Sequence, residues 1–276
     1  MMVMSMVKRI KRWLVIGLLM IFLFFYHSVN SETLGQISVI HKGLGAHTVV
    51  YEAAHGYAIA EGDILLGRLQ PSSSTMKASI IKFDAYWWPQ GIVPYQFDAY
   101  LPDANKKAVL NAITLWEQDT NIHFIERTEL NRSLYPDYVL FMPESGGLCA
   151  SHVGRQGGSQ IVLLSTRCDT MITAHELGHV LGLWHEQSRL DRDNYIRIIW
   201  DNIIEKSKYN FDQHLTDGID HGPYNYQSVM HYSAYAFSKN GEKTIVPLIE
   251  GITIGQRRAI SPLDKAAINA IYPLQE

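Results

Sequence analysis

Hydrophobic and polar positions follow several different rhythms along this chain, and each predicts a different kind of element. Trp13 to Tyr26 is an unbroken run of fourteen residues without a charge, preceded by Lys8, Arg9, Lys11 and Arg12. Residues 32 to about 80 hold short apolar pieces, at 46–51, 57–60 and 64–66, separated by glycines, which read as short strands. Pro71-Ser72-Ser73-Ser74-Thr75 is polar and turn-rich, the signature of a linker. From about Lys82 the pattern is that of one continuous domain. Residues 92–97 predict a strand, placed at a sheet edge because Pro94 has no N–H to donate. Asp103 is positioned to cap a helix whose apolar residues Ala108, Val109, Ala112, Ile113 and Trp116 recur every three or four positions. Residues 122–126, 138–142 and 160–164 read as further strands, and another helix starts near Asp169 or Thr170. Ser261-Pro262-Leu263-Asp264 combines a capping box with proline at the first helical position, so a last helix begins there with Ala267, Ile268 and Ile271 facing inward. Strands and a helix first, then helices with long irregular stretches, predict an α+β fold. No internal repeat or low-complexity tract is found.

The 276 residues are 47% apolar and 18% charged, which fits a globular protein with a substantial core. A net charge of -3 provides no basic excess to neutralise phosphates, so nucleic acid is not expected as a partner. The charge-free run is shorter than the roughly 20 residues a membrane-spanning helix needs. With its basic start and the short residues Val29-Asn30-Ser31 after it, it reads as a secretory signal cut near Ser31, the alternative being an uncleaved anchor. The chain then divides as signal 1–31, a short exported segment 32–81 and a main domain 82–276. The product is expected outside the cell, or in a periplasm, with no stable membrane span after cleavage. Cys149 and Cys168 are the two cysteines. In an exported protein such a pair reads as one disulfide, which would brace the start of the helix that follows. It would stabilise the fold by about 3 kcal/mol.

That helix carries the densest chemistry in the chain, His175-Glu176-Leu177-Gly178-His179-Val180-Leu181-Gly182-Leu183-Trp184-His185. Residues four apart share a helix face, so His175 and His179 lie one turn above each other. Neutral imidazole is a favoured zinc ligand, and a catalytic zinc keeps three protein ligands and one open position. Gly182 can adopt the left-handed conformation that ends a helix, letting the chain turn back so that His185 approaches the same metal. Glu176, beside a ligand, can face the open position as a base. One Zn2+ per chain is expected.

Past the third histidine come Glu186-Gln187-Ser188-Arg189-Leu190-Asp191-Arg192-Asp193 and later Ser228-Val229-Met230-His231-Tyr232. Together with the histidine motif these resemble the astacin family of metzincin zinc endopeptidases. The likeness extends through residues 88–95 and 244–248 and so covers roughly 82–273. It implies a metzincin, zincin-like catalytic domain with a mixed sheet, a zinc-binding active-site helix and a Met-turn, preceded by a short propeptide. His175, His179 and His185 match the family's zinc ligands and Glu176 its catalytic base. Tyr232 matches a tyrosine that binds zinc weakly and swings aside to support the tetrahedral intermediate. Met230 matches the methionine packed beneath the metal site. Glu186 matches a glutamate that contacts the buried new N-terminus after activation. Residues 149–155 resemble the segment leading into the substrate-binding edge strand, and Cys149 with Cys168 matches one of the family's two usual disulfides. The cysteines of the second are absent. Glu61-Gly62-Asp63-Ile64 is similar to the family's inhibitory motif, whose aspartate (here Asp63) occupies the open zinc site; the aromatic residue usual in that motif is replaced by Ala60.

The resemblance implies a secreted zinc-dependent endopeptidase made as a latent precursor, acting on protein substrates in extended conformation after removal of the pro-segment by an activating protease. The competing expectation is a zinc-stabilised protein without catalysis, serving binding or surface adhesion; the presence of both Glu176 and Tyr232 argues against it.

Overall fold

The structure is a computed structural model that describes residues 34–41, 45–69, 87–214 and 218–274. The expected signal run, the linker at 71–75 and the proposed junction at 81–82 lie outside these residues.

A nine-stranded mixed sheet forms the frame, in the order β1-β2-β3-β4-β8-β9-β7-β5-β6. Its first four strands, β1 (Leu34–His41), β2 (Gly45–Ala54), β3 (Tyr57–Ala60) and β4 (Ile64–Arg68), form an antiparallel meander. The other five are β5 (Ile92–Phe97), β6 (His123–Glu126), β7 (Tyr138–Pro143), β8 (Cys149–Ser151) and β9 (Ser159–Leu164). β5 runs parallel to both β6 and β7, β7 is parallel to β9, and only β8 is antiparallel to its neighbour β9. The two groups of strands meet where β4 lies parallel to β8, Ile64 opposite Ser151. These first four strands therefore extend the sheet built by the other five.

β5 is not an edge strand, contrary to the expectation from Pro94. In a parallel ladder successive residues turn their N–H groups to opposite neighbours. The Tyr95 carbonyl accepts from Arg127 on the β6 side, so Pro94 faces β7. Pairing with β7 begins only at Tyr95, opposite Val139, so the missing donor falls just beyond the ladder.

Helix α1 (Asp103–Glu117) buries all five of its predicted apolar residues. Asp103 lies within its first turn, while Pro102 takes the cap position without a side-chain cap bond. Helix α2 (Thr170–Val180) is capped by Asp169, whose Oδ1 accepts from the Met171 and Ile172 amides at 2.9 Å. Helix α3 (Pro262–Ile271) begins with both bonds of the expected capping box between Ser261 and Asp264. Of its apolar residues Ile268 is fully buried, while Ala267 and Ile271 are half-buried.

Period-two alternation sorts the sheet's side chains between two cores. Val93, Tyr95, Val139, Phe141, Val162 and Leu164 face α1 and α2 in the main core. On the other face Leu163 and Ala150 pack with Ile59 and Leu65 of the preceding segment. β10 (Ile196–Ile198) and β11 (Ile245–Pro247) pair beside a third cluster that includes Phe211, Tyr224 and Tyr232. Among the described residues no helix is long and apolar enough to cross a membrane.

Candidate metal centre

α2 is buried over most of its length and braced by two tryptophans. Trp116 Nε1 donates to Ala174 O at 2.8 Å and Trp88 Nε1 to Val180 O at 2.9 Å. The disulfide Cys149–Cys168 ties β8 to the residue just before the Asp169 cap. On its inner side Gly178 leaves room for Met230, since a Cβ there would lie 2.5 Å from Met230 Sδ. Gly182 has φ +103°, the left-handed turn that sends the chain back. His185 thereby reaches His175 and His179, with ring centroids 5.3 and 4.7 Å away.

Ligand atoms of Asp63, His175, His179 and His185 all lie within 4.8 Å of one another. The outer nitrogens are committed elsewhere: His175 Nδ1 meets Val229 O and His179 Nδ1 meets Leu183 O, both at 2.8 Å, while His185 Nδ1 meets Glu61 Oε2 at 2.7 Å. With Nδ1 as donor, each ring turns an Nε2 lone pair towards the common centre. Asp63 oxygens lie 3.1, 3.6 and 3.2 Å from Nε2 of His175, His179 and His185. Ligands held 2.0–2.1 Å from a tetrahedral zinc are about 3.3 Å apart, so the spacing fits that ion. His179 Nε2, His185 Nε2 and Asp63 Oδ1 are buried without a hydrogen-bond partner, as groups awaiting a metal would be.

Charges reinforce one another in this small volume. Burial opposes ionisation of Asp63, yet the histidines around it hold its carboxyl well below the usual range. Burial likewise disfavours the His185 imidazolium, but the Asp63 and Glu61 carboxylates outweigh it and push the pKa up to about 9. Burial, aided by Arg257, lowers His175 to about 3. Glu176 is raised well above its ordinary value by burial and by the nearby Asp63 charge, and its Oε2 is without a partner. The Ser151 amide donates to Asp63 O and its hydroxyl to Glu176 O, each at 2.9 Å, so one residue of β8 links Asp63 to α2.

The Tyr232 ring lies 4.5 Å from that of His185, and its hydroxyl donates to the Glu61 carbonyl. Glu186 is largely buried, accepts from the Asn225 amide at 2.7 Å and is raised to about 7 by that burial. It lines a cavity of about 660 Å³ together with Trp87, His214, Ile219, Ala267 and Ile271. In the run 189–193, Arg189 clasps Asp191 through two bonds of 2.8 Å, and buried Arg192 donates to Gln187 O and Phe211 O. These residues brace the loops around the site.

The motif at residues 61–64 points to Asp63 and assigns no role to Glu61, two residues before it. Only the fold brings Glu61 to His185, Ser188 and His214, which are 124, 127 and 153 residues away.

Residues 80–273 match the family model described as Astacin, a peptidase family. The chain is 36% identical over 220 residues to zinc metalloproteinase nas-4 of Caenorhabditis elegans, an alignment covering 77% of this chain and 68% of that one. To the human meprin A subunit beta it is 39% identical over 224 residues, 79% of this chain and 30% of the subunit. It therefore spans about two thirds of the nematode relative and under a third of the human one. Among solved structures, high choriolytic enzyme 1, a hatching enzyme zinc-protease from Oryzias latipes (medaka), superposes with a TM-score of 0.62 at 32% identity. That match covers 74% of this chain and 100% of the medaka chain.

Proposed function

The chain belongs to the astacin family, and on that premise we propose that it is an exported zinc endopeptidase made as a latent precursor. The observation that carries this reading is the convergence of three Nε2 atoms beside Glu176, with Asp63 as the fourth member of the group. His175, His179 and His185 would hold the zinc, and Asp63 would take the place that a water or substrate needs.

Bound zinc supplies polarisation of the scissile carbonyl and a water whose pKa falls to about 7. Once the 32–81 segment is removed, Glu176 loses the Asp63 charge that raises its pKa and accepts the proton of the attacking water. It then passes that proton to the leaving amine. Tyr232, released from the Glu61 carbonyl, donates its hydroxyl to the developing oxyanion. The departure of β4 leaves β8 as an open edge, where an extended peptide pairs through main-chain hydrogen bonds. The cavity beside Glu186 receives the new N-terminus, whose ammonium offsets a buried carboxylate. An activating protease cuts at the 81–82 junction, and the N-terminal charge-free run directs export.

The test is cleavage of a denatured protein and of a peptide library by the chain after removal of residues 1–81, with and without a chelator. Chelator-sensitive hydrolysis that disappears in Glu176→Gln, with zinc still bound, is the expected result. Zinc binding without hydrolysis in the wild type would point instead to a non-catalytic binding protein.

A further inference from the structure

Glu61 is a buried carboxylate with three side-chain partners, and the mechanism above does not use it. Its Oε2 accepts from His185 Nδ1 at 2.7 Å and from Ser188 Oγ at 3.3 Å, and its Oε1 meets His214 Nε2 at 2.5 Å. Its backbone is left-handed, φ +48°, a conformation that costs a non-glycine residue about 1 kcal/mol or more. Glycine would relieve that cost at once, so the side chain is what the position requires.

The three histidines differ in one respect. His175 and His179 rest their Nδ1 atoms on Val229 O and Leu183 O, which remain when the 32–81 segment leaves. His185 rests its Nδ1 on Glu61, which departs with that segment. The same ring meets Asp63 through Nε2 at 3.2 Å, so a single imidazole lies between two carboxylates only two residues apart. His214 in turn stacks on Trp184 with centroids 3.9 Å apart and lines the cavity beside Glu186.

We propose that Glu61 is a positioning residue of the latent form: it orients His185 for zinc and makes a second anchor, independent of Asp63, that holds the segment in the cleft. This rests on the reading of His185 as a zinc ligand and of Asp63 as its blocker. Glu61 acts on the far side of the ring, through His185 Nδ1, Ser188 and His214, so it does not compete with Asp63 for the metal position. Loss of an outer partner of a ligating histidine weakens metal binding by about 10–100-fold. Zinc is accordingly bound more tightly by the precursor than by a precursor lacking this carboxylate, and each anchor adds to the hold on the segment, so loss of either one loosens it.

The experiment uses uncut full-length precursors: wild type, Glu61→Ala, Glu61→Gln, Asp63→Ala and the double variant Glu61→Ala with Asp63→Ala. Zinc affinity is read by chelator competition and peptide hydrolysis at saturating zinc, before and after cutting. Wild type and both Glu61 variants yield the same mature chain, so equal activity after cutting certifies an intact catalytic fold. We expect Glu61→Ala to bind zinc about tenfold or more weakly and to hydrolyse peptide before cutting. Glu61→Gln should fall between, because its amide oxygen can still accept from His185. The double variant should exceed either single one in hydrolysis before cutting. Zinc affinity and latency equal to wild type in both Glu61 variants would overturn the proposal. Latency in Asp63→Ala alone, with weakened zinc in Glu61→Ala, would instead count against the blocking role of Asp63 and leave the orienting role of Glu61 standing.

Discussion

Asp63 Oδ2 lies 3.1 Å from His175 Nε2, although 112 residues separate the two in the chain. That carboxylate is the fourth member of the group formed with the three Nε2 atoms. Asp63→Ala removes it while leaving the three imidazoles and their outer acceptors in place. The uncut variant is expected to retain zinc and to raise peptide hydrolysis from background to a measurable fraction of the mature rate. A chain that stays silent until it is cut would show that Asp63 does not block the site.

Tyr232 offers its hydroxyl to the Glu61 carbonyl. If that donor moves to the oxyanion in the mature enzyme, Tyr232→Phe lowers kcat by about 10²–10³-fold, as loss of other such donors does. KM should change little, because the interaction belongs to the transition state. Steady-state kinetics on one good peptide decides this, and an unchanged kcat removes Tyr232 from the mechanism.

The bridge between Cys149 and Cys168 closes a loop of 19 residues from β8 to the start of α2. Replacing both by serine should destabilise the chain by about 3 kcal/mol. For a domain of this size that lowers Tm by roughly 6–12 °C. Thermal melts of the two forms under non-reducing conditions read the shift. A Tm within a degree of wild type would mean the bridge carries no stability.

His231 is fully buried; burial lowers its pKa to about 4, with Arg257 nearby favouring the neutral ring and the Tyr232 carbonyl opposing. In the unfolded chain the same group titrates near about 6.5. The unfolded state therefore binds more protons between these values. The neutral ring contributes stability above about pH 6.5 that is lost as pH falls towards 4, up to about 3 kcal/mol. Urea unfolding from pH 8 to 4 should show that slope in the wild type and a shallower one in His231→Gln. Equal slopes would assign the acid sensitivity to other groups.

Much of the site was legible in the chain because it is local. The turn-back after α2 needs only Gly182, and the i, i+4 spacing alone puts His175 and His179 on one face. Caps at Asp169 and Ser261 follow from contacts within three residues, which sequence pattern captures directly. The central position of β5 is not legible in the chain, because what a proline permits depends on which neighbour each N–H faces and where that neighbour begins. Neither is visible until the ladder is assembled.

Sequence by itself determined the chemistry available: three imidazoles, a base, a tyrosine and an aspartate, in motifs similar to those of one peptidase family. Those features depend on residue type and short spacing, which the backbone's periodicity converts into shared faces. Only the tertiary structure decided what meets what across long separations. It joined β4 to β8, set Asp63 on the histidines, and placed Glu61 behind His185 with Ser188 and His214. Such contacts depend on the register of a single strand pair, Ile64 opposite Ser151. A shift of one residue would turn Asp63 to the other face of the sheet.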